Sequence, residues 1–185
     1  MPACRYFHMH AINKLYAQIA WIDKMKKTFV AGLLALSVPG LVMADHDAEL
    51  AITVGAFEAF NSHNNAAEIG IEYRFAPIAS AFNLIPTLGL AMNSDGGYWA
   101  YTGVRYDWDF SPKWTLTPNF AIAGYEDGAG LDLGYVMEFR TGLDLAYRLN
   151  DNSRLALGIY HMSNADIADE NPGSESVIVT YSFGF

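Results

Sequence analysis

From Asp45 onward the chain alternates between apolar and polar positions. Met137, Phe139, Thr141, Leu143, Leu145, Tyr147 and Leu149 share one parity, and Glu138, Arg140, Asp144 and Arg148 share the other. The same division separates Ile69, Ile71, Tyr73 and Phe75 from Glu68, Glu72 and Arg74, and Tyr98, Val104, Tyr106, Trp108 and Phe110 from Arg105, Asp107 and Asp109. Successive side chains of a β-strand point to opposite faces, so period-two patterning predicts strands. No stretch beyond residue 44 sustains the 3.6-residue apolar period of a helix. Eight such segments, each of roughly 10 residues, follow one another. The short connections FAPIAS, FSPKW and RLNDNSR take turns with the longer polar ones NSHNN, NSDGG, YEDGAGLDLG and SNADIADENPGSE.

A soluble sandwich also alternates, but it turns its charged face to water. What separates the two architectures lies upstream. Met25 to Ala44, MKKTFVAGLLALSVPGLVMA, has a basic start, an apolar run from Thr28 to about Val42 and compact residues at its end, which is the pattern of an export signal peptide. The run is shorter than the ~18 to 20 apolar residues of a spanning helix. Residues 1–24 fit poorly in front of such a signal and read as an extension from a start codon placed too early. The expected organisation is therefore an extension (1–24), a signal peptide (25–44) and a barrel (45–185). The expected fold is all-β, an eight-stranded antiparallel transmembrane β-barrel of the outer membrane, with apolar side chains facing lipid, polar ones facing the lumen, short turns in the periplasm and longer loops outside. The last strand, VIVTYSFGF, sets Val177, Val179, Tyr181, Phe183 and Phe185 on one face, as the C-terminal signature of outer-membrane proteins does.

Charge and cysteine content narrow the function. The net charge of the whole chain is -9, and the segment from Asp45 carries 19 acidic against 6 basic side chains. A nucleic-acid binder needs concentrated Lys and Arg to release counterions, so that class is excluded. Cys4 is the only cysteine, and the chain beyond residue 44 has no disulfide framework. An eight-stranded barrel is only wide enough to be filled by its own side chains, so the lumenal Glu, Asp and Arg residues are expected to form a paired, plugged core and not a pore. Chemistry then belongs on the outer wall or in the loops.

The stretch GIYHMSNADIADENPGSES supplies it. His161 and Ser163 continue the lipid-facing parity of Leu155, Leu157 and Ile159, and Glu175 shares that of Val177 and Val179. Spacing i, i+2 sets His161 and Ser163 on one face about 6.5 to 7 Å apart along the backbone. The strand bearing Glu175 is the next one, antiparallel, and its start meets the end of the strand bearing Ser163. Nucleophile (Ser163), base (His161) and orienting carboxylate (Glu175) are thus brought to one rim, the arrangement of an acyl hydrolase. Asn164, Asn171 and the backbone N–H groups of the Ala165–Asp166 turn are the expected donors to an oxyanion. This chemistry calls for no metal and no cofactor.

The run HMSNADIADENPGSES, with His161, Ser163, Asn164, Ala165, Asn171, Gly173 and Glu175 at these offsets, resembles the active-site motif of the lipid A 3-O-deacylase (PagL) family. The resemblance is strongest over Leu155–Phe185 and elsewhere is one of architecture. It implies a Ser-His-Glu esterase on the outer face of the barrel that removes the ester-linked 3-hydroxyacyl chain at position 3 of lipid A. The implied triad is Ser163, His161 and Glu175, with Asn171 positioning the oxyanion. Asp166 departs from the small residue, such as glycine, expected at its place. The implied partners are lipopolysaccharide as substrate and the surrounding outer-membrane lipids, and the sequence is compatible with a homodimer. The rival readings are another outer-membrane acyl hydrolase, an acyltransferase, and a non-enzymatic structural or adhesion barrel. Neither acidic loop follows the EF-hand spacing of a calcium site.

Overall fold

The computed structural model describes residues 48–61 and 65–185, so the expected extension and signal peptide lie outside the described residues. Nine strands form one sheet: β1 (Glu49–Phe57), β2 (Ala66–Arg74), β3 (Ile85–Asn93), β4 (Tyr98–Arg105), β5 (Trp108–Asp109), β6 (Trp114–Glu126), β7 (Met137–Asn150), β8 (Ser153–Ser163) and β9 (Ser174–Gly184). Each pairs antiparallel with its neighbour, and β1 pairs with β9, which closes the sheet on itself. The two-residue β5 is β4 resumed. Both pair with β6 in one continuous register, Arg105 opposite Asn119 and Trp108 opposite Leu116. The interruption falls opposite Pro118, whose carbonyl accepts from Tyr106 N–H at 3.1 Å but whose nitrogen has no hydrogen to return. The barrel therefore has eight spanning strands, as its alternation predicts.

Burial follows parity. Ile69, Ile71, Leu143, Leu145, Leu155, Leu157, Ile159, Val179 and Tyr181 stand exposed on the outer wall, while Glu68, Glu72, Arg74, Arg105, Glu138, Arg140 and Asp144 are buried inside. Aromatic side chains gather toward the periplasmic end, where Trp114 packs edge-on against Tyr147 and Tyr73 against Phe75, as expected where amphipathic rings meet a membrane interface. The turns FAPIAS, FSPKW and RLNDNSR lie at that end. The first extends into a 3₁₀ turn (Ala79–Ala81), and the last tightens to Asp151–Asn152 between β7 and β8.

The lumen differs from a uniformly charged plug. Its periplasmic half and middle are ionic. Glu72 accepts from Arg74 Nε at 2.8 Å, Arg105 Nη1 at 3.1 Å and the Tyr101 hydroxyl at 3.0 Å, while Arg105 also binds Asp144, which accepts from the Tyr160 hydroxyl at 2.6 Å. Arg140 lies over the Tyr160 ring at 3.7 Å and the Tyr101 ring at 4.9 Å. Nearer the periplasm, Arg154 joins Glu49 to Asp107. The outer half is apolar instead: Phe57, Trp99, Tyr125, Leu133 and Met162 pack with Ala66, Ala121 and Ala123. Phe57 stacks on Tyr125 at 6.1 Å and contacts Trp99 at 5.5 Å. Alternation identifies inward positions, but which of them form ion pairs and which form an aromatic plug depends on how strands distant in sequence converge.

Candidate active site

The end of β8 and the start of β9 carry the site. The β8–β9 register places His161 directly opposite Glu175, and the β7–β8 register places Ser163 opposite Phe139. His161 and Glu175 are exposed on the outer wall, and the His161 Nδ1 lies 3.2 Å from Glu175 Oε1. Both side chains remain about half exposed, 48% and 49%. With Nδ1 turned to the carboxylate, Nε2 is the ring nitrogen left for the nucleophile. Ser163, two residues on and on the same face, is partly buried. Backbone anchoring comes from a third strand's loop, since Ala59 N–H donates to the Glu175 carbonyl at 2.8 Å.

Beyond Ser163 the chain turns sharply. Asn164 is fully buried, and its side-chain amide donates to the carbonyls of Leu133 and Glu170, each at 2.8 Å. Both amide hydrogens are thereby committed. The side chain so held anchors the turn to the β6–β7 loop and to its own loop. Ala165 and Asp166 follow in the left-handed region, with φ of +55° and +60°. That conformation is the reason a glycine suits this place; Asp is among the side chains that tolerate it because its short polar group bonds locally. Here the Asp166 carboxylate accepts from Asn171 Nδ2 at 2.9 Å, and Asn171 Oδ1 accepts from Asn164 N–H at 3.0 Å. Asn171 thus clamps both ends of the turn. Among the described residues no hydrogen bond engages the N–H of Ala165 or Asp166. Nor do three His, Cys, Asp or Glu side chains converge to hold a metal ion.

Gly173, which the sequence offers only as one position of the motif, lies against His161. Its φ is +69°, and a Cβ built there would lie 2.9 Å from His161 Cε1 and 3.6 Å from Nε2. The imidazole packs over the bare backbone. The sequence signal was its place among the offsets of the motif, which does not say what the residue touches. Gly173→Ala is expected to combine left-handed strain with displacement of the His161 ring, and to lower kcat about 10- to 100-fold with the barrel still folded. Steady-state kinetics alongside a gel assay of the folded barrel measures this; unchanged kcat would show that the ring is not held against Gly173.

Residues 69–184, well over half of the chain, match the family model described as lipid A 3-O-deacylase (PagL). Among solved structures, that of the outer membrane enzyme PagL superposes with a TM-score of 0.60 at 16% identity, covering 74% of this chain and 99% of that one. A de novo designed transmembrane β-barrel gives 0.56 at 13% identity over 76% of this chain and 96% of its own. Neisserial surface protein A gives 0.53 at 12% identity over 75% and 96%. No curated protein matches in sequence. Identities this low speak for the fold alone, and the family follows from the sequence match across nearly the whole barrel: the chain belongs to the lipid A 3-O-deacylase (PagL) family.

Proposed function

We propose that this protein hydrolyses the ester-linked 3-hydroxyacyl chain at position 3 of lipid A with a Ser163–His161–Glu175 triad on the outer wall of its barrel. The observation that carries the reading is the 3.2 Å contact between His161 Nδ1 and Glu175 Oε1 on a face that otherwise presents apolar side chains to lipid. A half-exposed polar contact of this kind contributes little stability. An orienting role for the carboxylate gives the pair a use that stability does not.

Ser163 Oγ attacks the acyl carbonyl while His161 Nε2 takes the hydroxyl proton, and Glu175 fixes the tautomer and stabilises the imidazolium. The oxyanion is held by the backbone N–H groups of the turn at Ala165–Asp166, which Asn164 and Asn171 brace. The C–O bond to the sugar then breaks, and the imidazolium returns its proton to the departing sugar oxygen. Water next attacks the acyl-serine, giving its proton to His161 Nε2, and the hydroxy acid leaves as Ser163 Oγ regains that proton. Lipid A acyl esters lie near the membrane interface, the height of the outer rim, so the substrate is reached without extraction from the leaflet.

Glu175→Gln tests the orienting role. An amide presents either a donor or an acceptor to Nδ1, so the imidazole is no longer held in one tautomer, and kcat is expected to fall about 10²-fold. Half exposure of the pair keeps this below the loss seen at buried triads. A variant with wild-type kcat would remove Glu175 from the mechanism.

A further inference from the structure

Behind β8, inside the lumen, two buried side chains carry oxygens that have no hydrogen-bond partner among the described residues. Glu138 and Asn164 are both 0% exposed. The oxygens are both carboxyl oxygens of Glu138 and Oδ1 of Asn164. Phe139–Ser163 is the last pair of the β7–β8 ladder; Glu138 precedes the one and Asn164 follows the other, and both are buried like the inward Arg140 and Met162 of the adjoining pair. On its other side Glu138 faces Ala123 on β6, and the apolar plug containing Leu133 and Met162 surrounds this end of the lumen. Arg140, the nearest cation on the same strand, is stacked on Tyr160 and Tyr101, and among the described residues no ion pair reaches Glu138.

An ionised carboxylate sealed among apolar groups with no donor is very costly, and so is a buried amide carbonyl with no donor. One proton satisfies both. We propose that Glu138 is a neutral carboxylic acid whose O–H donates to Asn164 Oδ1, making it a positioning residue for the oxyanion turn. Asn164 is the pivot of that turn: its amide hydrogens hold Leu133 and Glu170, its N–H binds Asn171, and its carbonyl accepts from Ile167 N–H at 3.2 Å. Its side-chain carbonyl is the one group of the amide still without a partner among the described residues. The Glu138 O–H adds a third tie to the amide plane and stiffens the turn that carries the N–H groups of Ala165 and Asp166. This proposal rests on the triad reading above.

The test compares Glu138→Gln, which can still donate to Asn164 Oδ1 without charge, with Glu138→Met, which fills the same space in the apolar plug but donates nothing. Both are made in the full chain, with Ser163→Ala alongside, and kcat and KM are measured on lipid A in detergent micelles. Glu138→Gln is expected to stay within about twofold of wild type. Glu138→Met is expected to lose about tenfold in kcat, the equivalent of one hydrogen bond, with KM unchanged. Wild-type kcat in Glu138→Met, or an equal loss in both variants, would overturn the proposal. Full activity in Ser163→Ala would instead overturn the triad itself, and so the two failures are distinguishable.

Discussion

Ser163→Ala is expected to leave lipid A intact. Without the hydroxyl there is no acyl-enzyme, and His161 and the oxyanion turn can only assist direct attack by water, so deacylation should fall about 10⁴-fold or more. Mass spectrometry of lipid A exposed to wild type loses the mass of one hydroxyacyl chain; the same lipid exposed to the folded variant keeps it. Serine is partly buried at the strand end and makes no hydrogen bond to another side chain among the described residues, so alanine there costs the barrel little. A variant that still removed the chain would assign the nucleophile elsewhere on the rim. A wild-type protein that left lipid A and phospholipids alike untouched would favour a structural barrel.

The second large effect is on stability. Arg105 is 4% exposed and joins Glu72 to Asp144 across the middle of the lumen. In Arg105→Met the volume is retained, but two buried carboxylates lose their shared cation. Glu72 keeps Arg74 at 2.8 Å, whereas Asp144 keeps only the Tyr160 hydroxyl. Removing one partner of a buried pair typically costs about 3 to 5 kcal/mol. Urea unfolding of the barrel in detergent should show a midpoint shift of that size, and Arg105→Met with Asp144→Leu should recover most of it, because the uncompensated charge is then gone. An unshifted midpoint would mean that water penetrates the lumen and solvates these groups.

That site and scaffold respond so differently follows from their places on opposite faces of one sheet. The outer wall carries the half-exposed pair to which the proposed chemistry is assigned and which contributes little stability, and the lumen carries ionic and aromatic contacts that contribute rigidity.

Much of this was legible in the residues themselves. Alternation in ELAITVGAF, AAEIGIEYR and SRLALGIYHMS reports the two faces directly, since a strand's side-chain period is two whatever it pairs with. The parity shared by His161, Ser163 and Glu175 likewise predicted one face, and their spacing predicted one rim. Less visible was the fate of the loop between them. Asn164 looks in sequence like a free amide beside a serine, but Leu133, thirty-one residues earlier, supplies the carbonyl that commits it. Gly173 looks like a turn residue until the His161 ring is found lying across it.

By itself, then, the sequence determined the strand count, the face each strand turns to lipid and the rim on which His161 and Glu175 stand, all of which depend on local periodicity and short-range spacing. Only the tertiary structure decided which inward groups meet. The ionic middle built on Glu72, Arg105 and Asp144 and the aromatic plug above it both arise from closing the sheet, when β1 meets β9 and strands far apart in the chain share one narrow interior. Lumenal contacts are set by barrel register and diameter, which are properties of the closed sheet and not of any one strand.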